Sequence, residues 1–195
     1  MKLIKQITIL FLIIVQSLNS FSQSEKFTKD SILTTSIAKG FFNWYIAAAK
    51  NGKQKEYNPI EIEDSNGMTT LDFSKYFQNI IDHSFSDSLI SKEKQSYNEC
   101  IKKLSKIKYS DYLKLEDLDD FENLDDDFTN YYRWTGGQEM YDGYFVSSVS
   151  FKNNSALIIG YLYFDNSGNE IRELKNEITM NLIYQNNEWK ITTIK

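Results

Sequence analysis

Chemistry in this chain would have to start from one histidine, one cysteine and one dense run of carboxylates. His83 stands beside Asp82 and near Asp87, and a histidine held by an acid can act as a general base. It also falls at the end of a predicted helix. There the helix dipole favours an imidazolium, so the position reads as structural. Zinc takes several nitrogen or sulfur ligands, and His83 and Cys100 are the only such side chains available. Cys100 follows Glu99, whose charge opposes the thiolate a nucleophile needs. A buried helical cysteine is the expectation. The sequence has no Gly-x-Ser-x-Gly elbow and no phosphate loop, and no cofactor is expected. No catalytic residue is assigned.

Glu116 to Asp127 holds eight acids and no base. Calcium takes oxygen ligands, which such a run could supply. An EF-hand loop also needs a central glycine and a closing glutamate. Here there is no glycine, and Leu118, Phe121 and Leu124 recur every third residue. That spacing describes a short amphipathic turn with a solvated acidic face, and no metal is expected. Next comes Tyr131 to Phe145, YYRWTGGQEMYDGYF, with six aromatics around Gly136-Gly137. The glycines permit a sharp bend. Arg133 could clamp a carboxylate, and rings beside a bend could stack on a flat ligand. Arg133, Trp134, Gln138 and Tyr141 are therefore the candidate ligand- or partner-binding residues. Ordinary packing is the competing reading, because Tyr144 and Phe145 already belong to a strand.

Elements to carry these residues fall into two halves. Leu33, Ile37, Phe41, Trp44 and Ala48 recur at steps of three and four, which predicts a helix. Asp30 or Ser31 can cap its start and Asn51-Gly52 can end it. Gly40 in its middle reads as a point of close packing. Asn51 to Thr70 reads as a polar loop with room for a short strand. A second helix is predicted over Leu71 to His83, with Phe73, Phe77, Ile80 and Ile81 inward. A third is predicted over Asp87 to Lys106, with a stripe of Ile90, Tyr97, Ile101 and Leu104. The second half alternates with the strand period. Phe145, Ser147, Val149 and Phe151 share one face of a first strand. ALIIGYLYF is apolar on both faces and predicts a doubly covered second strand. Ile178, Met180, Leu182 and Tyr184 mark the third, and Trp189, Ile191 and Thr193 the fourth. Three short polar turns make this an antiparallel meander, so the expected fold class is α+β.

The N-terminus reads as an export signal: basic MKLIK, apolar ITILFLIIV, then small polar residues. Cleavage is expected after Ser22. Residues 23–30 would be a flexible lead, and 31–195 a single domain. The location implied is periplasmic or secreted, and no cysteine stands near the cleavage site to take a lipid. Nothing after Ser22 is long and apolar enough to span a bilayer. A formal net charge of −5 argues against nucleic acid, which needs a basic face. With one cysteine there is no internal disulfide, so the core must hold the fold alone.

FFNWYIAAAK, the acidic-aromatic connector with its Gln138-Glu139 pair, and the closing NNEWKITTIK together resemble a known family. They look like the cone-shaped nuclear-transport-factor-2-like superfamily, within it the secreted bacterial domain of unknown function 3828. The resemblance covers Ser31 to Lys195. It implies helices packed on a curved sheet around a cavity, and a homodimer. It names no reaction. The functional expectation is an exported, non-catalytic binding module whose partner is an envelope protein, an envelope polymer or a small ligand. One form would be an immunity-type inhibitor. The alternative is an isomerase or dehydratase with an Asp/Tyr pair in the cone, since the superfamily includes such enzymes.

Overall fold

The computed structural model describes residues 27–115, 133–136, 139–165 and 172–195. The expected signal, the acidic run 116–127, Tyr131, Tyr132 and Gln138 lie outside the described residues.

Helix α1 covers residues 27–50. Its buried face is broader than the stripe in the sequence: Ala38, Phe41, Phe42, Tyr45 and Ala49 are all inside, while Leu33 is 43% exposed. Asp30 and Ser31 lie within the helix rather than capping it. Gly40 does not mark close packing, because a side chain there would meet open space. The end is as expected. Gly52 takes φ +63°, Lys53 N–H donates to Ala48 O at 3.0 Å and Gly52 N–H to Ala49 O at 3.1 Å. These two bonds close the last carbonyls of the helix.

The segment read as a loop contains a short helix α2 (Gln54–Tyr57) and a hairpin of β1 (Ile60–Glu63) and β2 (Thr69–Asp72). Asp64 shapes the hairpin turn by accepting from the N–H groups of Asn66 and Met68. Leu71, expected in a helix, is buried in β2. Helix α3 (Ser74–Asp82) begins only after Asp72, whose carboxylate accepts the Ser74 N–H at 2.9 Å. It buries Tyr76, Phe77 and Ile80, whereas Ile81 is 48% exposed. The expected third helix is two, α4 (Asp87–Ser96) and α5 (Asn98–Leu104), broken at Tyr97. Ser86 caps α4 by accepting the Leu89 N–H. A short α6 (Tyr109–Tyr112) follows.

The meander is as predicted: β3 (Gly143–Lys152), β4 (Ser155–Asp165), β5 (Arg172–Gln185) and β6 (Glu188–Ile194), paired antiparallel in that order. Asn153, Asn186 and Asn187 take positive φ at the two Asn-Asn turns, a conformation asparagine tolerates. A bulge between Val146 and Ser148 turns Phe145 outward, so it does not share a face with Val149 and Phe151. Among the described residues strand β4 is covered on one side only. Ala156, Ile158 and Leu162 are buried, and Leu157 on the other side is 37% exposed. Helices lie against the inner face, with the Phe42 and Tyr144 rings 4.3 Å apart. The protein is thus α+β, helices first and a four-stranded antiparallel sheet last. No described helix is long and apolar enough to cross a membrane.

Candidate functional site

Two of the four sequence candidates converge on an acid that the sequence reading passed over. Glu93 on α4 is buried, and three side chains turn toward it. Arg133 Nε donates to Glu93 Oε2 at 2.6 Å, and the Tyr76 hydroxyl donates to Oε1 at 2.8 Å. Trp134 Nε1–H donates to the Tyr76 oxygen at 3.1 Å. The Tyr97 phenol, four residues on from Glu93, is pushed far up by burial and then by the Glu93 charge. Burial pulls Arg133 down more than any one neighbour raises it, but the charge and hydrogen bond of Glu93, with Tyr97 and Tyr76, together leave the guanidinium above its ordinary value. A signal for Glu93 was available: Leu89, Glu93, Tyr97, Cys100 and Leu104 follow steps of three and four. An acid in such an apolar stripe must find a partner.

Trp134 is buried, set edge-on to Phe41 and Phe85 at 6.0 and 5.3 Å. Tyr141 is also buried, away from the Glu93 group. It stacks on Phe164 at 5.1 Å and accepts from Asn176 Nδ2 at 2.9 Å. Arg133 alone of the three described candidates keeps part of its side chain in solvent. Within the Glu93 group the carboxylate is paired with Arg133, and the Tyr76 hydroxyl and Trp134 indole hydrogens are bonded.

His83 ends α3 with its ring stacked on Trp44 at 4.4 Å. Its Nδ1 lies 2.8 Å from the Asn79 carbonyl oxygen, so that nitrogen carries the proton. Asp82 accepts from Gln78. Cys100 is buried in α5, and Glu99 pairs with Lys102 at the surface. Among the described residues no group of three or more His, Cys, Asp or Glu could hold a metal.

The open site lies elsewhere, at the sheet end carrying both Asn-Asn turns. A groove of about 620 Å³ runs between α1, the end of α3 and the β5–β6 hairpin. Leu33, Ile37, Ile81, Tyr184 and Trp189 line it together with the charged Lys29, Asp30, Asp82, Glu188 and Lys190. A second hollow of about 180 Å³ shares Asp30, Tyr184 and Trp189, and adds Phe27, Phe151 and the first Asn-Asn turn. Four rings make a continuous row there: Phe27 to Phe151 at 5.1 Å, Phe151 to Trp189 at 5.7 Å, Trp189 to Tyr184 at 5.4 Å. Strands β4 and β5 lie between those of Phe151 and Trp189, with Ala156 paired to Phe151 and Leu182 paired to Ala156. Trp189 is buried, and its indole N–H donates to Asp30 at 3.3 Å. Phe27 and Tyr184, the ends of the row, are 54% and 37% exposed. Glu188 is held below its ordinary value by its hydrogen bond from Lys190, at 2.7 Å. Aromatics five residues apart across a two-residue turn, Tyr184 and Trp189, were the sequence signal for this site.

No protein family, curated protein or solved structure matches the chain in the comparisons made.

Proposed function

We propose that the protein is an exported binding module that acts without catalysis and takes its partner in the groove between α1 and the β5–β6 hairpin. The observation that carries this reading is the aromatic row, half-exposed at both ends and opening onto about 620 Å³ of groove. Exposed aromatics gathered in a concave surface are where binding energy concentrates. Export is the part supported by the basic, apolar and small-residue layout of the first 22 residues. The helix-then-meander order supports kinship with the nuclear-transport-factor-2-like superfamily. The isomerase or dehydratase reading would need an acid and a tyrosine facing an open chamber. Among the described residues Glu93 is closed on Tyr76, Tyr97 and Arg133, Glu177 meets Tyr161 at the exposed surface, and Glu139 meets Tyr141 beside a hollow of only about 10 Å³.

The test is recovery of partners from cell-envelope extract by the mature protein, compared with Tyr184→Ala. Tyr184 is exposed enough for the variant to fold. Partners recovered by the parent and lost by the variant are expected, and equal recovery would overturn the groove as the site.

A further inference from the structure

The two edges of the four-stranded sheet differ. The β6 edge is taken at Ile191, whose N–H donates to Ser84 O at 2.7 Å and whose carbonyl accepts the Ser86 N–H at 2.9 Å. Strand β3 pairs with β4 on one side, and no described residue pairs with its other side. Native edges are blunted by prolines, charges or bulges. Strand β3 has its bulge between Val146 and Ser148, but beyond it Ser148 to Lys152 keep an unbroken register against Ile159 to Ser155, with no proline and no charge before Lys152. The core beneath this stretch is half-covered. Val149 and Phe151 stay partly exposed, whereas the β4 residues paired with them, Ile158 and Ala156, are 0% and 2% exposed. On the opposite face Ser148, Ser150 and Lys152 are exposed, and Lys152 makes no ion pair among the described residues. The end of this stretch opens into the hollow of about 180 Å³ beside Phe27, and that hollow shares Asp30, Tyr184 and Trp189 with the groove.

From this we infer that β3 takes an extended peptide segment of the partner as a fifth strand, which ends in the hollow beside Phe27. The inference rests on the aromatic row being the binding site, and it names the class of partner. The groove is lined by charges of both signs, so charge there selects no ligand. The edge does select: it presents backbone N–H and C=O groups in alternation, which another extended backbone matches group for group. Side chains of an added strand alternate between the two faces. Those on the inner face meet Val149, Phe151 and the exposed Phe27 ring, so they are apolar. Those on the outer face stand beside Ser148, Ser150 and Lys152, so they are polar, with a carboxylate near Lys152. A second copy of this chain fits the edge less well. Self-pairing over Ser148 to Lys152 spans only about 17 Å of strand, too little through this edge alone for the roughly 800 Å² per partner of a stable dimer.

The probe comes from panning a phage-displayed library of random linear peptides on the mature protein. The selected peptides are expected to alternate apolar and polar residues, with an acid in the polar set. Synthetic copies N-methylated on one set of alternate residues should lose binding, and copies methylated on the other set should keep it, because only one set of N–H groups faces the edge. Lys152→Glu should weaken acid-bearing binders roughly fivefold, the scale of one cross-strand charge pair. Lys152 is exposed, and matching thermal melts would show that the variant folds. Binding indifferent to methylation of either set, or no selected peptide at all, would overturn the added strand; envelope partners still lost on Tyr184→Ala would then leave the groove reading standing. A parent that sediments as a dimer, with its β3 amides already protected from hydrogen exchange, would assign the edge to a second copy and overturn the peptide. No selected peptide together with partners recovered equally by Tyr184→Ala would overturn both readings.

Discussion

Arg133→Met isolates what the buried acid costs. The Glu93 side chain is 1% exposed, and Arg133 supplies the only cationic hydrogen bond described for it. Removing one partner of a buried ion pair typically costs about 3–5 kcal/mol, because the other charge is left unmatched. The Arg133 side chain is 33% exposed, so water screens this end of the pair and the lower limit applies. An expected loss of about 3 kcal/mol becomes a fall in Tm of roughly 6–12 °C at this chain length. Urea unfolding of the parent, Arg133→Met, Glu93→Gln and the double variant gives a double-mutant cycle. Glu93→Gln keeps an acceptor for Tyr76 and removes the charge. The double variant should therefore be more stable than the sum of the singles by at least about 1 kcal/mol. Arg133→Met within about 0.5 kcal/mol of the parent would refute the reasoning. So would a strictly additive cycle.

Three further outcomes follow from single groups. The Tyr144 hydroxyl is buried with no hydrogen-bond partner among the described residues, so Tyr144→Phe should be neutral or stabilising by up to about 1 kcal/mol in urea titrations, whereas Tyr76→Phe should cost about 1–2 kcal/mol. Asp142 is held below its ordinary value, first by its hydrogen bond from Lys50 and then by the Asp165 N–H. A depressed carboxyl stabilises the fold above its unfolded pKa of about 4 and loses that contribution as pH falls through the folded value. Asp142→Asn should accordingly flatten the acid limb of a stability–pH profile below about pH 4, and an unchanged limb would show that the pair contributes nothing.

Local pattern carried much of the fold. The strands were legible because alternation and two-residue Asn turns fix register without reference to anything distant. The end of α1 was legible from Asn51-Gly52 for the same reason. What the sequence did not show depends on tertiary neighbours. Leu71 extends a strand because β1 pairs with β2, and Phe145 turns outward because of a bulge. Trp134 and Tyr141 looked like a surface beside a bend and are buried instead, since Phe41, Phe85 and Phe164 reach them from elements far away in sequence. The groove was legible only in the spacing of Tyr184 and Trp189, because its other rings, Phe27 and Phe151, come from α1 and β3. Only the sheet register brings them into one row.

Three consecutive residues at the α3–α4 joint carry a wider consequence. Ser84 takes φ +67° and receives a bond from Ile191; Ser86 returns one and also starts α4 through Leu89. The terminal strand and two helix ends therefore share a single fastening. Fraying of β6 would loosen both helix ends with it, so Ile191 acts as a latch for the helical layer.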